Sequence, residues 1–411
     1  MLFGVTLQVG NCKKVTAKYE YSTIQAAITA AASGATIDVC PGTYAEQLTI
    51  SHPLSLKGLA VGTSDAAVIT APAGGLAVNT TDPISGMPFA AQIWVSDAIG
   101  VDISDLAIDG ANNGVVTDCS TDFAGIYYEN ASGTVTRVAL RNQMLDSSMN
   151  GCNTGWGMFV ISSGGSSTVT ISNSTIHNYQ KGGIVANEAG TTLTATGNTV
   201  LGMGSATGSA QNGIQIGFGA TGAIKSNYVA DHDWYQSSPT TWSASGILLW
   251  GAPKVVVSGN TVVNNQTSIV VENVDTDDLA NGTTLTSNHV YGSHIFDAID
   301  VCSNDNTVSG NQVNTADAGG IHIDSECPVG ATASGTGNIV KSNTINDACA
   351  GLLGDATGNT FGSNTFYNTT YTTLSGDVCP PLVPTVTGIK SLAEPMGLVG
   401  GAQSRYVPSP R

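Results

Sequence analysis

GIVANE at residues 183–188, GIQIGF at 213–218 and GILLWG at 246–251 decide the architecture of this chain. Each opens on Gly-Ile and then sets apolar residues at alternate positions. Six more segments share the form: GIYYEN (125–130), GMFVIS (157–162), SIVVEN (268–273), AIDVCS (298–303), GIHIDS (320–325) and GLLGDA (351–356). The nine starts are 32, 26, 30, 33, 22, 30, 22 and 31 residues apart. A helical repeat of that length would place apolar residues at i, i+3, i+4 and i+7. These alternate at period two, the period of a strand, and are rich in Gly, Thr and Asn, which form helices poorly.

Working outward, a second signature, Asn followed closely by Val, Ile or Phe, recurs eight times. It begins at Asn173, Asn198, Asn227, Asn260, Asn288, Asn311, Asn343 and Asn364. A unit of about 22–33 residues carrying both signatures fits one coil of three short strands, with length variation confined to the corners. Asn at a fixed corner tolerates left-handed backbone and bonds to its own turn. Stacked Asn residues can also bond along the solenoid axis, so these are read as structural and not catalytic. The fold expected is all-β: a single right-handed parallel β-helix, 36–378, with an N-terminal segment and capping helix at 1–35 and a tail at 379–411. The tail holds PPLVP and PSP and neither signature.

Composition agrees. The 411 residues include 50 Gly and only 10% charged residues, yet are 41% hydrophobic, so the polarity is that of turns between strands rather than of disorder. Thirteen basic against 30 acidic residues give a net charge of −17. No Lys/Arg cluster exists to displace counterions, which argues against nucleic acid as a partner. An acidic surface suits divalent cations or neutral glycans, and it also keeps a long solenoid dispersed. No apolar run is long enough to span a membrane. MLFGVTLQVGNCKK lacks the basic start and long apolar run of a signal peptide. Eight cysteines without a CxxC pair read as disulfides in an oxidising compartment, secreted, periplasmic or at the cell surface. Because each coil contacts its neighbours, the pairing expected is 12–40, 119–152, 302–327 and 349–379.

YSTIQAAITAAASGATIDVCPGTYAEQLTI (21–50), followed by PLSLKG (53–58), resembles the entry module of the pectin-lyase-like right-handed β-helix superfamily. The resemblance implies a short amphipathic helix, with Ile24, Ala27, Ile28 and Ala31 on one face, that covers the open apolar end of the solenoid. It implies strands at Thr36 to Val39 and Leu48 to Ile50, with CPGTY as the turn between them. The superfamily spans polysaccharide lyases, glycoside hydrolases, pectin methylesterases, epimerases, tailspikes and NosD-like repeat proteins. The QDT and DFIFG-type motifs of pectin methylesterases are absent, as are the paired-Asp and RIK motifs of polygalacturonases and the DPHD motif of alginate epimerases. No one family's catalytic residues carry over.

Aligning the unit starts gives two outward columns. The first runs Tyr127, Phe159, Val185, Gln215, Leu248, Val270, Asp300, His322, Leu353, and the second Glu129, Ile161, Asn187, Gly217, Trp250, Glu272, Cys302, Asp324, Asp355. Charge concentrates in the later coils. Strands lie about 4.8 Å apart, so Asp300 and His322 become neighbours across a rung. Asp300, His322, Asp324 and Glu272 are therefore the candidate catalytic residues, expected as one exposed cluster. A neighbouring carboxylate would hold His322 protonated to higher pH. Trp250 is the candidate sugar platform, with Gln215, Asp355, Trp234 and Tyr127 as further substrate-binding candidates. Trp234 belongs to an acidic aromatic loop, Asp231-His232-Asp233-Trp234-Tyr235. Asp275, Asp277 and Asp278 form an oxygen-rich run able to hold Ca²⁺, but without EF-hand spacing it reads rather as a solvated loop. No residue is assigned as a metal ligand and no cofactor motif is present.

Two functions follow. One is a carbohydrate-active protein cleaving or modifying a polysaccharide or oligosaccharide, by paired carboxylates in a hydrolase or by proton abstraction in a lyase. No Lys or Arg stands in either column to act as a lyase base. The other is a non-catalytic surface or periplasmic repeat protein that binds a glycan or a partner.

Overall fold

A computed structural model describes residues 6–12, 19–59, 66–115, 119–235, 243–325, 335–354, 358–375 and 379. Their strands wind into a solenoid with three faces. The first face is a 14-stranded sheet that includes Ala35–Val39, Thr191–Thr196 and Thr307–Ser309. The second and third belong to one 23-stranded sheet, because Gln312–Ile323 and Thr344–Leu353 run on around the corner between them. Every described pairing is parallel except Thr80–Thr81 against Pro88–Phe89. The nine repeat units lie on the third face.

The reason for the unit's leading glycine is close approach. A Cβ on Gly183 would lie 2.6 Å from Val200 Cγ1, on Gly213 2.6 Å from Val229 Cγ1, and on Gly246 2.8 Å from Val262 Cγ1. The glycines turn inward against β-branched residues of the second face, and the backbone closes the coil where no side chain fits. Behind them the inward positions, such as Ile214 with Ile216 and Ile247 with Leu249, stack into one continuous apolar core. Tyr128 also points inward and donates its hydroxyl to Val101 O at 3.0 Å.

The corner between the first and second faces carries the asparagine ladder. Nδ2 of Asn198, Asn227, Asn260, Asn288, Asn311 and Asn343 donates to Oδ1 of the next asparagine, ending on Asn364, at 2.9–3.0 Å throughout. Each step but the last is buried. Asn173 stands outside this ladder. Its neighbour Ser174 takes the rung position and donates its backbone N–H to Asn198 Oδ1 at 3.0 Å.

At the N-terminal end the helix Ile24–Ala30 buries Ile24, Ala27 and Ile28 on the solenoid. Thr23 caps it, and the Glu46 carboxylate accepts from the backbone N–H of Ile24 at 2.8 Å and Gln25 at 2.9 Å. An anionic side chain on unsatisfied amides is favourable there. Leu48–Ile50 is a strand as expected, whereas part of the CPGTY turn is itself a strand, Gly42–Ala45. Thr6–Val9 and Tyr19–Tyr21 add two strands ahead of the helix. Disulfides join Cys12 to Cys40, Cys119 to Cys152 and Cys349 to Cys379, three of the pairs expected from coil adjacency. Cys327, Asp355 and the tail from 380 lie outside the described residues. No helix among the described residues is long and apolar enough to cross a membrane.

Candidate functional site

The register places the predicted pairs side by side. Asp300 pairs with His322, Trp250 with Glu272, and Glu272 with Cys302. Asp324 follows on the strand of His322 and donates its backbone N–H to Val301 O at 3.0 Å. The strand geometry therefore groups Asp300, His322, Asp324 and Glu272 on one side of the third face.

Their environment corrects the expectation of an exposed cluster. Asp300, His322, Asp324 and Glu272 are only 1%, 2%, 3% and 0% exposed. Of the described residues in the two outward columns, only Glu129 is not buried. Alternation tells which side of a strand a residue takes, but not whether that side meets water. The other candidates are corrected in the same way. Trp250 is buried among Phe218, Leu248 and Val270 instead of offering an open indole face. Tyr127 is fully buried and stacks on Phe89 and Phe159, with ring centroids 4.2 and 5.6 Å apart. Gln215 is held between Asn212 and Asn187 by two hydrogen bonds of 3.1 Å. Trp234 is buried and donates Nε1–H to Gly208 O at 2.6 Å. The expected loop is largely a strand, Tyr228–Trp234, in which His232 turns inward, bonded to the Tyr179 hydroxyl and 2.7 Å from Asn265 Oδ1. Burial lowers its pKa to about 4. Asp275 uses Oδ1 to accept from the backbone of Asp277 at 2.7 Å and Asp278 at 2.9 Å, a turn-forming role for the acidic run.

The residue missed from sequence is Asp297. Its Oδ2 lies 3.0 Å from His322 Nδ1, and its Oδ1 accepts from Gly319 N at 2.5 Å. Asp300 Oδ1 is 3.9 Å from the same imidazole nitrogen. Strict alternation from Asp300 would turn Asp297 inward. Ala298 and Ile299 are both in the core, however, so alternation breaks just ahead of the strand Ile299–Cys302 and Asp297 keeps the outer side. Two residues before it, β-branched Ile295 has φ +74°, a left-handed conformation worth about 1–3 kcal/mol of strain.

Asp297, Asp300 and His322 bring ligand atoms within 4.8 Å of one another, the one such group among the described residues. A carboxylate-oriented imidazole beside a second carboxylate can pass a proton, and the same donor set can hold a divalent cation.

At the other end of the third face, Glu129 takes Trp94 Nε1–H at 2.9 Å and the Thr80 hydroxyl at 3.3 Å. Partial burial raises its pKa.

The sequence profile of the family described as right handed beta helix region matches residues 159–366, just over half of the chain. The chain belongs to this family. No curated protein matches it by sequence. Among solved structures it is similar to endo-xylogalacturonan hydrolase from Aspergillus tubingensis, at 14% identity over 89% of this chain and 93% of that one, with TM-score 0.47. It is also similar to the A-module of mannuronan C-5 epimerase AlgE4 from Azotobacter vinelandii, at 16% identity over 86% and 94%, with TM-score 0.45. A third similarity is to the pectin methylesterase PemA from Erwinia chrysanthemi, at 13% identity over 84% and 80%, with TM-score 0.34.

Proposed function

We propose that this chain is a secreted carbohydrate-active β-helix that modifies or cleaves a polysaccharide by proton transfer at Asp297, Asp300 and His322, with Glu272 and Asp324 flanking them. The observation that carries the reading is the Asp297–His322 pair at 3.0 Å, with Asp300 on the adjoining rung. Asp297 fixes the ring through Nδ1, which makes Nε2 the nitrogen for a substrate proton. Asp300 is the second carboxyl group for an acid–base pair. Burying ionisable groups this densely costs several kcal/mol each unless they are mutually compensated, so their concentration here is more than a fold requires. The three described disulfides fit an oxidising, extracytoplasmic setting. Because the cluster is buried, turnover requires the third face to open.

The test is a screen against uronate-containing and neutral polysaccharides, with Asp300→Asn and His322→Ala alongside the wild type. An activity that survives both substitutions would place the chemistry elsewhere. The burial of every described candidate favours the second reading, a non-catalytic surface or periplasmic protein that binds a glycan or partner. On that reading no substrate is turned over and the substitutions alter only stability.

A further inference from the structure

The buried third face contrasts with the second. From the coil of Tyr228 to that of Tyr367, two outward columns run in unbroken register across six strands. Six rungs at about 4.8 Å span roughly 24 Å along the axis. Tyr228, Tyr291 and Tyr367 stand 42%, 39% and 56% exposed on this face. Between them the columns offer His289 and Gln312, whose Nδ1 and Oε1 are 3.1 Å apart, and the amides of Asn314 and Asn346. Neither column contains Asp, Glu, Lys or Arg over these six rungs, in a chain of net charge −17.

We infer that this face binds a neutral, linear glycan lying along the solenoid axis. An exposed tyrosine gives a sugar ring an apolar face to stack on and a hydroxyl at its rim, and the intervening amides supply both donors and acceptors. The tyrosines stand on the first, third and sixth rungs, spread along the axis so that one linear polymer can meet all three. Charge selects among polymers. A face without cations has nothing to pair with uronate carboxylates, and the chain's net negative charge repels a polyanion, whereas a neutral chain meets no such penalty. The site is separate from the Asp297–Asp300–His322 cluster and does not depend on that cluster being catalytic.

Affinity electrophoresis of the full chain tests this, in gels containing soluble β-glucan, glucomannan or xyloglucan and, in parallel, polygalacturonate or alginate. The expected result is retardation by at least one neutral polymer and by neither polyanion. Tyr291→Ala and Tyr228→Thr should each weaken binding about 3- to 10-fold, and Asp300→Asn should leave it unchanged. Tyr228→Thr reproduces Thr199 and Thr261 of the adjoining rungs, so it keeps the fold while removing the ring. The inference is overturned if no neutral polymer retards the wild type, if the polyanions bind instead, or if both tyrosine variants bind as the wild type does. Loss of binding in Asp300→Asn with retention in Tyr291→Ala would move the glycan to the third face.

Discussion

Asn288→Ala removes one rung from the middle of the asparagine ladder, and the structure sets the size of the effect. Asn288 Oδ1 accepts from Asn260 N at 3.1 Å and Asn260 Nδ2 at 2.9 Å, while its own Nδ2 donates to Val257 O and Asn311 Oδ1, both at 3.0 Å. After truncation Asn260 N loses its side-chain acceptor, Asn260 Nδ2 keeps only Ile224 O at 2.9 Å, and no water reaches a corner that is 0% exposed. Each orphaned buried group costs about 1–3 kcal/mol, so the loss expected is about 2–5 kcal/mol. Asn288→Ser should lose about half as much, since Ser174 already serves as a rung, accepting from Val138 N at 3.1 Å. Thr175→Ala, at an exposed strand position whose adjoining rung already carries Ala139, should stay within about 0.5 kcal/mol of the wild type. Urea unfolding gives the stabilities, and hydrogen exchange locates the change. Coil-to-neighbour coupling predicts faster exchange in Val256–Ser258 and Thr284–Thr286 and none in Ser132–Thr136. The reasoning fails if Asn288→Ala is as mild as Thr175→Ala.

Three further outcomes follow from buried groups and cross-links. His232 titrates near 4 in the folded chain against an ordinary 6.5, so it is neutral in both states above pH 6.5 and imposes no cost there. As pH falls from 6.5 to 4 the unfolded chain takes the proton first, and stability drops by about 3 kcal/mol from this group; urea midpoints of His232→Gln should lack that part of the acid slope. Replacing Cys119 and Cys152 by Ser opens a closed loop of 33-residue separation and should cost about 3–4 kcal/mol by loop entropy, read from the same titration. The triple variant Asp297→Thr, Asp300→Val, His322→Leu removes the cluster, and at the last two positions copies residues that adjoining rungs already carry, Val270 and Leu353. It should abolish turnover while melting at or above the wild-type temperature; a lower melting temperature would mean the cluster holds the fold together.

The coil architecture was legible because three constraints are local and repeat. Gly at the unit start is forced by the Val behind it, Asn at the corner by its ladder partners, and the alternating Ile and Leu by the core. Repetition then fixes neighbours, so Asp300 beside His322, Trp250 beside Glu272 and three disulfides could be read by counting. Two things could not be. Asp297 was hidden because alternation breaks at Ala298, and Asn173 looked like a rung although Ser174 occupies the place. Burial of the third face depends on what packs over it, which periodicity does not encode. A trace of it was present in the columns themselves. Tyr127, Phe159, Val185, Leu248 and Val270 are too apolar a series for a solvated sheet, and all five pack in small satellite clusters outside the core: Tyr127, Phe159 and Val185 in one, Leu248 and Val270 with Trp250 in another.

That apolar series also bears on why the later coils differ. Along one column of the same buried strip, the chain fills the earlier rungs, Gln215 apart, with aromatic and aliphatic side chains and then changes to Asp300 and His322. Packing has an apolar solution at these positions, demonstrated one rung away by Val270 and Leu353. A buried carboxylate–imidazole pair is seldom more stable than such a solution and is strongly destabilising when half of it is lost. Fold stability therefore gives no reason for the change. A dense set of buried ionisable groups on rungs where apolar side chains would pack supports the acid–base role proposed for Asp297, Asp300 and His322.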